Sequence, residues 1–149
     1  IEAMKNTNLI QLSWTFNALF NSQKNVFIKY YSVAAKSGAT GGYRLCEVFG
    51  HNLQKVFDIY QKKGVNHEYF KIIKNKMLIS FFPANIIRAK NQMFKGENEN
   101  FFKTLYPIYK NYPYFWLFTV PAIFLPSKIS YTIYAIANYL RKIKNRLTF

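Results

Sequence analysis

The sequence predicts a mainly α-helical protein, and three observations predict it. Apolar residues recur at spacings of three and four rather than two along most of the chain. Only one short β-branched and aromatic run, near residues 25–31, reads as a strand. Hydrophobic residues make up 50% of 149 residues, enough to fill one modest core, so the chain is expected to fold rather than remain disordered.

The elements follow in order. From Asn8 to about Asn21, Leu9, Leu12, Phe16, Leu19 and Phe20 share a helical face, and polar Asn17, Asn21 and Gln23 close it. Asn25-Val26-Phe27-Ile28-Lys29-Tyr30-Tyr31 is the strand, and Ser37-Gly38-Ala39-Thr40-Gly41-Gly42 is a loop whose three glycines relax the backbone. Leu45, Phe49, Leu53, Val56, Phe57 and Tyr60 mark a helix from Tyr43 to Lys63, which Gly64 terminates. Asn66 caps a third helix, on which Phe70, Ile73, Met77 and Phe81 align and which ends before Pro83. Pro83 opens another helix that breaks at Lys95-Gly96.

Beyond that point the character changes. Asn98 to Tyr106 reads as helix, Pro107 and Pro113 chop the segment, and Tyr112 to Pro126 carries no charge. That run is too short, and too interrupted by Pro121, to cross a hydrocarbon layer that needs about 20 apolar residues. The last helix starts at Ser127 as N-cap, and Ile129, Ile133, Ile136, Leu140, Ile143 and Leu147 form an aliphatic stripe along it. Lys128, Arg141, Lys142, Lys144 and Arg146 supply cations, four of them near the C-terminal end where they also favour the helix dipole. An uncharged aromatic run followed by a basic amphipathic helix is what a monotopic membrane segment requires, so Phe115, Trp116, Phe118, Lys128, Arg141, Lys142, Lys144 and Arg146 are the expected membrane-surface residues. A stripe docked on its own domain and a merely solvated basic end are the plainer alternative.

Charge and chemistry narrow the function classes. The 21 Lys and Arg against 6 Asp and Glu leave a net charge of +15, which asks for an anionic partner: phospholipid, nucleic acid or a phosphorylated substrate. Cys46 is alone, so no intrachain disulfide forms, a usage that fits a reducing cytosol. It reads as a buried structural thiol rather than a nucleophile. Asp58 is the only aspartate and no DxD metal motif is present. His51 and His67 lack a second ligand at metal spacing and read as surface residues. Glu97-Asn98-Glu99 offers oxygens to a hard cation, but is read first as stabilising a helix N-terminus. The glycines match no phosphate-binding fingerprint. No catalytic residue is assigned to this chain, and the opening Ile1-Glu2-Ala3-Met4, without signal peptide, reads as that of a fragment.

One order of features resembles a known family. An amphipathic helix with Phe16, Ala18 and Leu19, a strand from Val26 to Tyr31, a Ser/Gly/Thr loop, and a long helix ending Tyr60-Gln61-Lys62-Lys63-Gly64 is similar to the region after the catalytic core of bacterial family 2 glycosyltransferases of the capsule and cell-surface polysaccharide type. The resemblance covers about Leu9 to Tyr112 in order and the tail in character. It implies the helical C-terminal portion of an α/β nucleotide-sugar enzyme: residues 1–94 would follow a missing catalytic core, and 95–149 would be an aromatic and basic membrane-associating tail. Tyr31, Ser32, Ser37 and Thr40 would border the donor or acceptor site, although members often carry Arg where this chain has Ser32, and an ordinary turn accounts equally for these residues. No cofactor is implied for this chain; a divalent metal belongs to the missing core. Implied partners are an anionic membrane surface, a lipid-linked or polysaccharide acceptor, and a nucleotide-sugar donor held by that core. The implied location is peripheral, on the cytoplasmic face. A basic, aromatic nucleic-acid-binding module is the alternative, disfavoured because the cations are scattered and form no compact reading motif, and a helical interaction protein is a third.

Overall fold

The computed structural model describes residues 8–24, 44–91 and 99–147, without the side chains at 137, 138 and 140–147. Among the described residues every regular element is helical: α1 (Gln11–Asn21), α2 (Leu53–Lys62), α3 (His67–Lys76), α4 (Phe82–Lys90), α5 (Phe101–Tyr109), α6 (Val120–Phe124) and α7 (Ser127–Leu147), with π-helical segments at Glu47–Asn52, Met77–Phe81 and Phe115–Thr119. The expected strand at 25–31 and the break at Lys95-Gly96 lie outside the described residues.

The turn between α2 and α3 follows its local chemistry. Gly64 takes φ +89°, a left-handed conformation that costs glycine no Cβ clash. Its N–H donates to the Gln61 carbonyl at 2.9 Å and that of Val65 to the Tyr60 carbonyl at 3.1 Å, the paired bonds of a Schellman stop. Two residues on, the Asn66 side chain accepts the Glu68 N–H at 3.0 Å and starts α3.

Prolines behave differently from expectation. Helix 67–90 does not end before Pro83 but continues through it, and Pro83 is buried. A π segment precedes both Phe82-Pro83 and Val120-Pro121, so the turn widens just where a proline ring would crowd the carbonyl four residues back. In that register the Phe82 N–H donates to the Met77 carbonyl. Pro83 has no N–H to offer Leu78, one position along, and the Thr119 hydroxyl donates to the Leu78 carbonyl instead, buried at 2.9 Å. One proline-widened turn is thus completed by a side chain of the other. Pro107 lies inside α5, with Lys103, whose carbonyl loses its partner, and Pro107 both exposed to water. Pro113 begins the helical run 113–124 rather than breaking it.

Two buried clusters form the interior. The first joins α1, α2 and α3 through Phe16, Phe57, Tyr60 and Phe70. The Phe57 and Phe70 rings stack at 4.7 Å, and the Tyr60 hydroxyl donates to the Ser13 carbonyl at 3.0 Å. The second gathers Leu45, Cys46, Leu78, Phe82, Leu105, Tyr109 and Phe115. Its members come from both sides of residue 94. Phe49 and Met77 touch both clusters. Gly50 lets α5 approach closely: a Cβ there would meet Leu105 Cδ2 at 2.9 Å. Glu99 ties these parts together, its carboxylate accepting the Cys46 and Glu47 N–H groups at 2.9 and 2.7 Å. It stabilises a helix N-terminus, as read from sequence, but that of helix 45–62 rather than its own. The N-cap of α5 is Asn100, whose side chain accepts the Lys103 N–H at 2.9 Å.

Candidate membrane interface

α7 packs on α4 and α6, and polar chemistry determines which of its faces turns inward. α6 ends at Leu125, whose carbonyl accepts the Lys90 ammonium at 2.8 Å and the Ser130 hydroxyl at 3.2 Å; that hydroxyl also lies 3.3 Å from the Pro121 carbonyl. Ser130 is buried, Tyr134 packs against the second cluster, and burial lowers the Lys90 pKa. α7 begins with Ser127 inside the helix, and the Pro126 carbonyl takes the capping place by accepting the Ser130 N–H at 3.0 Å. With the Ser130 and Tyr134 side docked, the aliphatic stripe points elsewhere: Ile129, Ile133 and Ile136 are 50%, 39% and 55% exposed. The Ile129, Ile133 and Ile136 part of the stripe is therefore left largely uncovered by the described residues.

The aromatic run divides between core and surface. Phe115, expected at the membrane surface, is instead buried at 0% exposure, its ring 6.5 Å from Tyr109 and 6.2 Å from Phe102. The wide turn Phe115–Thr119 places Phe115 and Thr119 inward and turns Trp116 and Leu117 outward. Trp116 is 48% exposed, and its indole N–H donates to the Lys110 carbonyl at 2.8 Å. Its only polar group is satisfied within the protein, so covering the ring with an apolar surface would orphan no donor. Phe118 is half-buried and lines a small cavity with Pro121, Ile133 and Tyr134, which places the run beside α7. Leu117 and Phe124, which sequence reasoning passed over, are the more exposed members at 62% and 65%. Their signal was a spacing of seven in an uncharged segment.

Lys128 is exposed on the first turn of α7. Arg141, Lys142, Lys144 and Arg146 stand on the backbone of the same helix, their side chains outside the description. Tyr31, Ser32, Ser37 and Thr40 lie outside the described residues. The other candidates fall as structural parts: His51 and His67 are exposed, with His67 Nε2 2.9 Å from Glu68 Oε1, and Cys46 is sealed in the core, where burial and then the Glu99 charge push its thiol pKa up. Among the described residues no group of three His, Cys, Asp or Glu side chains gathers that could hold a metal. No described helix is long and apolar enough to cross a membrane. No protein family, no curated protein and no solved structure matches the chain.

Proposed function

We propose that this chain is the membrane-docking, helical C-terminal part of a glycosyltransferase that moves a sugar from a nucleotide donor to a lipid-linked or polysaccharide acceptor at the cytoplasmic face. The sugar-transfer half rests on the sequence resemblance alone, and with it the roles of Tyr31, Ser32, Ser37 and Thr40 at the acceptor side. The docking half rests on the exposed Ile129, Ile133 and Ile136 of α7, reinforced by the outward side chains of helix 113–124. Full burial of a large apolar side chain is worth about 1.5–3 kcal/mol. Trp116, Leu117, Phe124, Ile129, Ile133 and Ile136 are about half exposed, so each retains about 1 kcal/mol for a second burial. Each cation near an anionic surface adds about 1 kcal/mol, and only that share is screened by salt. A lipid-linked acceptor is confined to the membrane plane, so a protein held at the same surface meets its substrate more often.

Sedimentation with anionic liposomes tests the docking half. Binding that weakens with salt and is not competed by a single-stranded oligonucleotide supports it; efficient competition transfers the chain to the nucleic-acid class. The coding sequence upstream of Ile1 tests the other half. An open frame carrying a DxD strand supports it, and a start codon at or just before Ile1 overturns it.

A further inference from the structure

Far from α7 in sequence, α1 and α3 bound an open groove of about 560 Å³ lined by Phe16, Leu19, Phe20, Tyr69, Ile72 and Ile73. Tyr69 and Ile72 are more than half exposed there, at 56% and 51%. A second cavity of about 450 Å³ adjoins it and shares Phe20 and Tyr69 as walls. Beside Tyr60 and Val65 its lining is of a different kind: Asn17 and Asn21 lie one helical turn apart on α1, Lys63 follows α2, and Asn66 caps α3, with no carboxylate on the lining among the described residues. Both volumes fall in the range of about 300–1,000 Å³ typical of small-ligand sites.

We propose that the two cavities form one site for an anionic, single-chain amphiphile, with the hydrocarbon chain in the groove and a phosphate- and hydroxyl-bearing head in the Asn-Lys cavity. The amide and ammonium side chains all lie on one side of Phe20 and Tyr69, so the site is apolar on one side of that border and mainly polar on the other, as a lipid monomer is. An amphipathic peptide helix alternates along its whole length and does not match such a division. The head side favours negative charge, because Lys63 lines it and, among the described residues, no acidic side chain does. The Lys63 ammonium stands 5.0 Å from the centre of the Tyr60 ring, at the wall of the cavity. Carboxamides both donate and accept, which suits hydroxyls as well as phosphate oxygens, and Asn66, whose side-chain oxygen is taken by the Glu68 N–H, still offers its NH₂. The site is separate from the α7 surface and does not rest on the docking reading.

Calorimetric titration of the full chain with myristoyl lysophosphatidylglycerol, kept below its micelle-forming concentration, tests it. Saturable one-to-one binding is expected. Ile72→Asp, an exposed position, is expected to weaken it at least about tenfold by placing a charge in the groove. Lys63→Ala is expected to weaken it about three- to tenfold and to bring the affinity close to that of the uncharged monoacylglycerol of the same chain length. Both variants are expected to keep the parent's circular dichroism and its sedimentation with liposomes, while Ile133→Asp loses sedimentation and keeps monomer binding. Undiminished binding by Ile72→Asp, or equal affinity of the parent for the charged and uncharged amphiphiles, overturns the proposal.

Discussion

Helix 45–62 and α7 are written in the same pattern and have opposite fates. Each carries an apolar side chain every three or four residues with cations between. On the first, Leu45, Leu53, Val56, Phe57 and Tyr60 are all at 6% exposure or less, whereas Ile129, Ile133 and Ile136 on the second stand out in solvent. The difference arises at the partner surfaces. α1 and α3 meet the first stripe with Phe16 and Phe70, while the corner at Leu125 holds α7 by Ser130 and leaves its stripe to one side. Amphipathic spacing states that a face must be covered, and leaves open what covers it.

Four changes sharpen that contrast. Val56→Asp places an unpaired charge at a position of 0% exposure and is expected to cost at least about 4 kcal/mol, read as loss of the cooperative unfolding transition. Thr119→Val keeps the shape but strands the Leu78 carbonyl in the core, and an expected loss of about 1–3 kcal/mol shows in urea denaturation. Glu99→Gln acts through pH. Burial is the main influence on its carboxyl and raises the pKa, against the pull of the Cys46 and Glu47 N–H bonds. A raised folded-state pKa gives stability that is complete below the ordinary glutamate value and lost as pH rises through the raised one. Across that interval the parent's melting temperature should therefore fall modestly relative to that of Glu99→Gln. Smallest of all, Ile136→Asp at a 55% exposed position should change stability by no more than about 0.5 kcal/mol, yet reduce sedimentation with anionic liposomes; a large loss of stability would show that the stripe is covered after all.

Much of the local architecture was legible because its causes are local. The face of α2, the stop at Gly64 and the cap at Asn66 depend on residues within a turn or two of each other, whereas on α1 Leu19, read on the buried face, is 47% exposed and Ser13 is buried in its stead. What stayed hidden depends on distant partners. The bonds of Glu99 reach 53 and 52 residues back, so its role at a helix N-terminus was readable but the helix was not. Pro83 read as a boundary because its effect on its own helix is unfavourable, and its compensation by Thr119 lies in another element. Phe115 and Trp116 differ by one position, and a wide turn, not composition, sends one ring inward and the other out. The groove beside Ile72 exists only once α1 and α3 are placed together, and no spacing within either helix announces it.

The Thr119 to Leu78 bond has a consequence for the order in which the chain matures. Its donor is translated 41 residues after its acceptor, so when helix 67–90 first emerges from a ribosome the carbonyl beside Pro83 has only solvent to satisfy it. That wet spot dries when residues 113–124 arrive and dock. Products ending before Thr119 lack this donor and leave the Leu78 carbonyl to water.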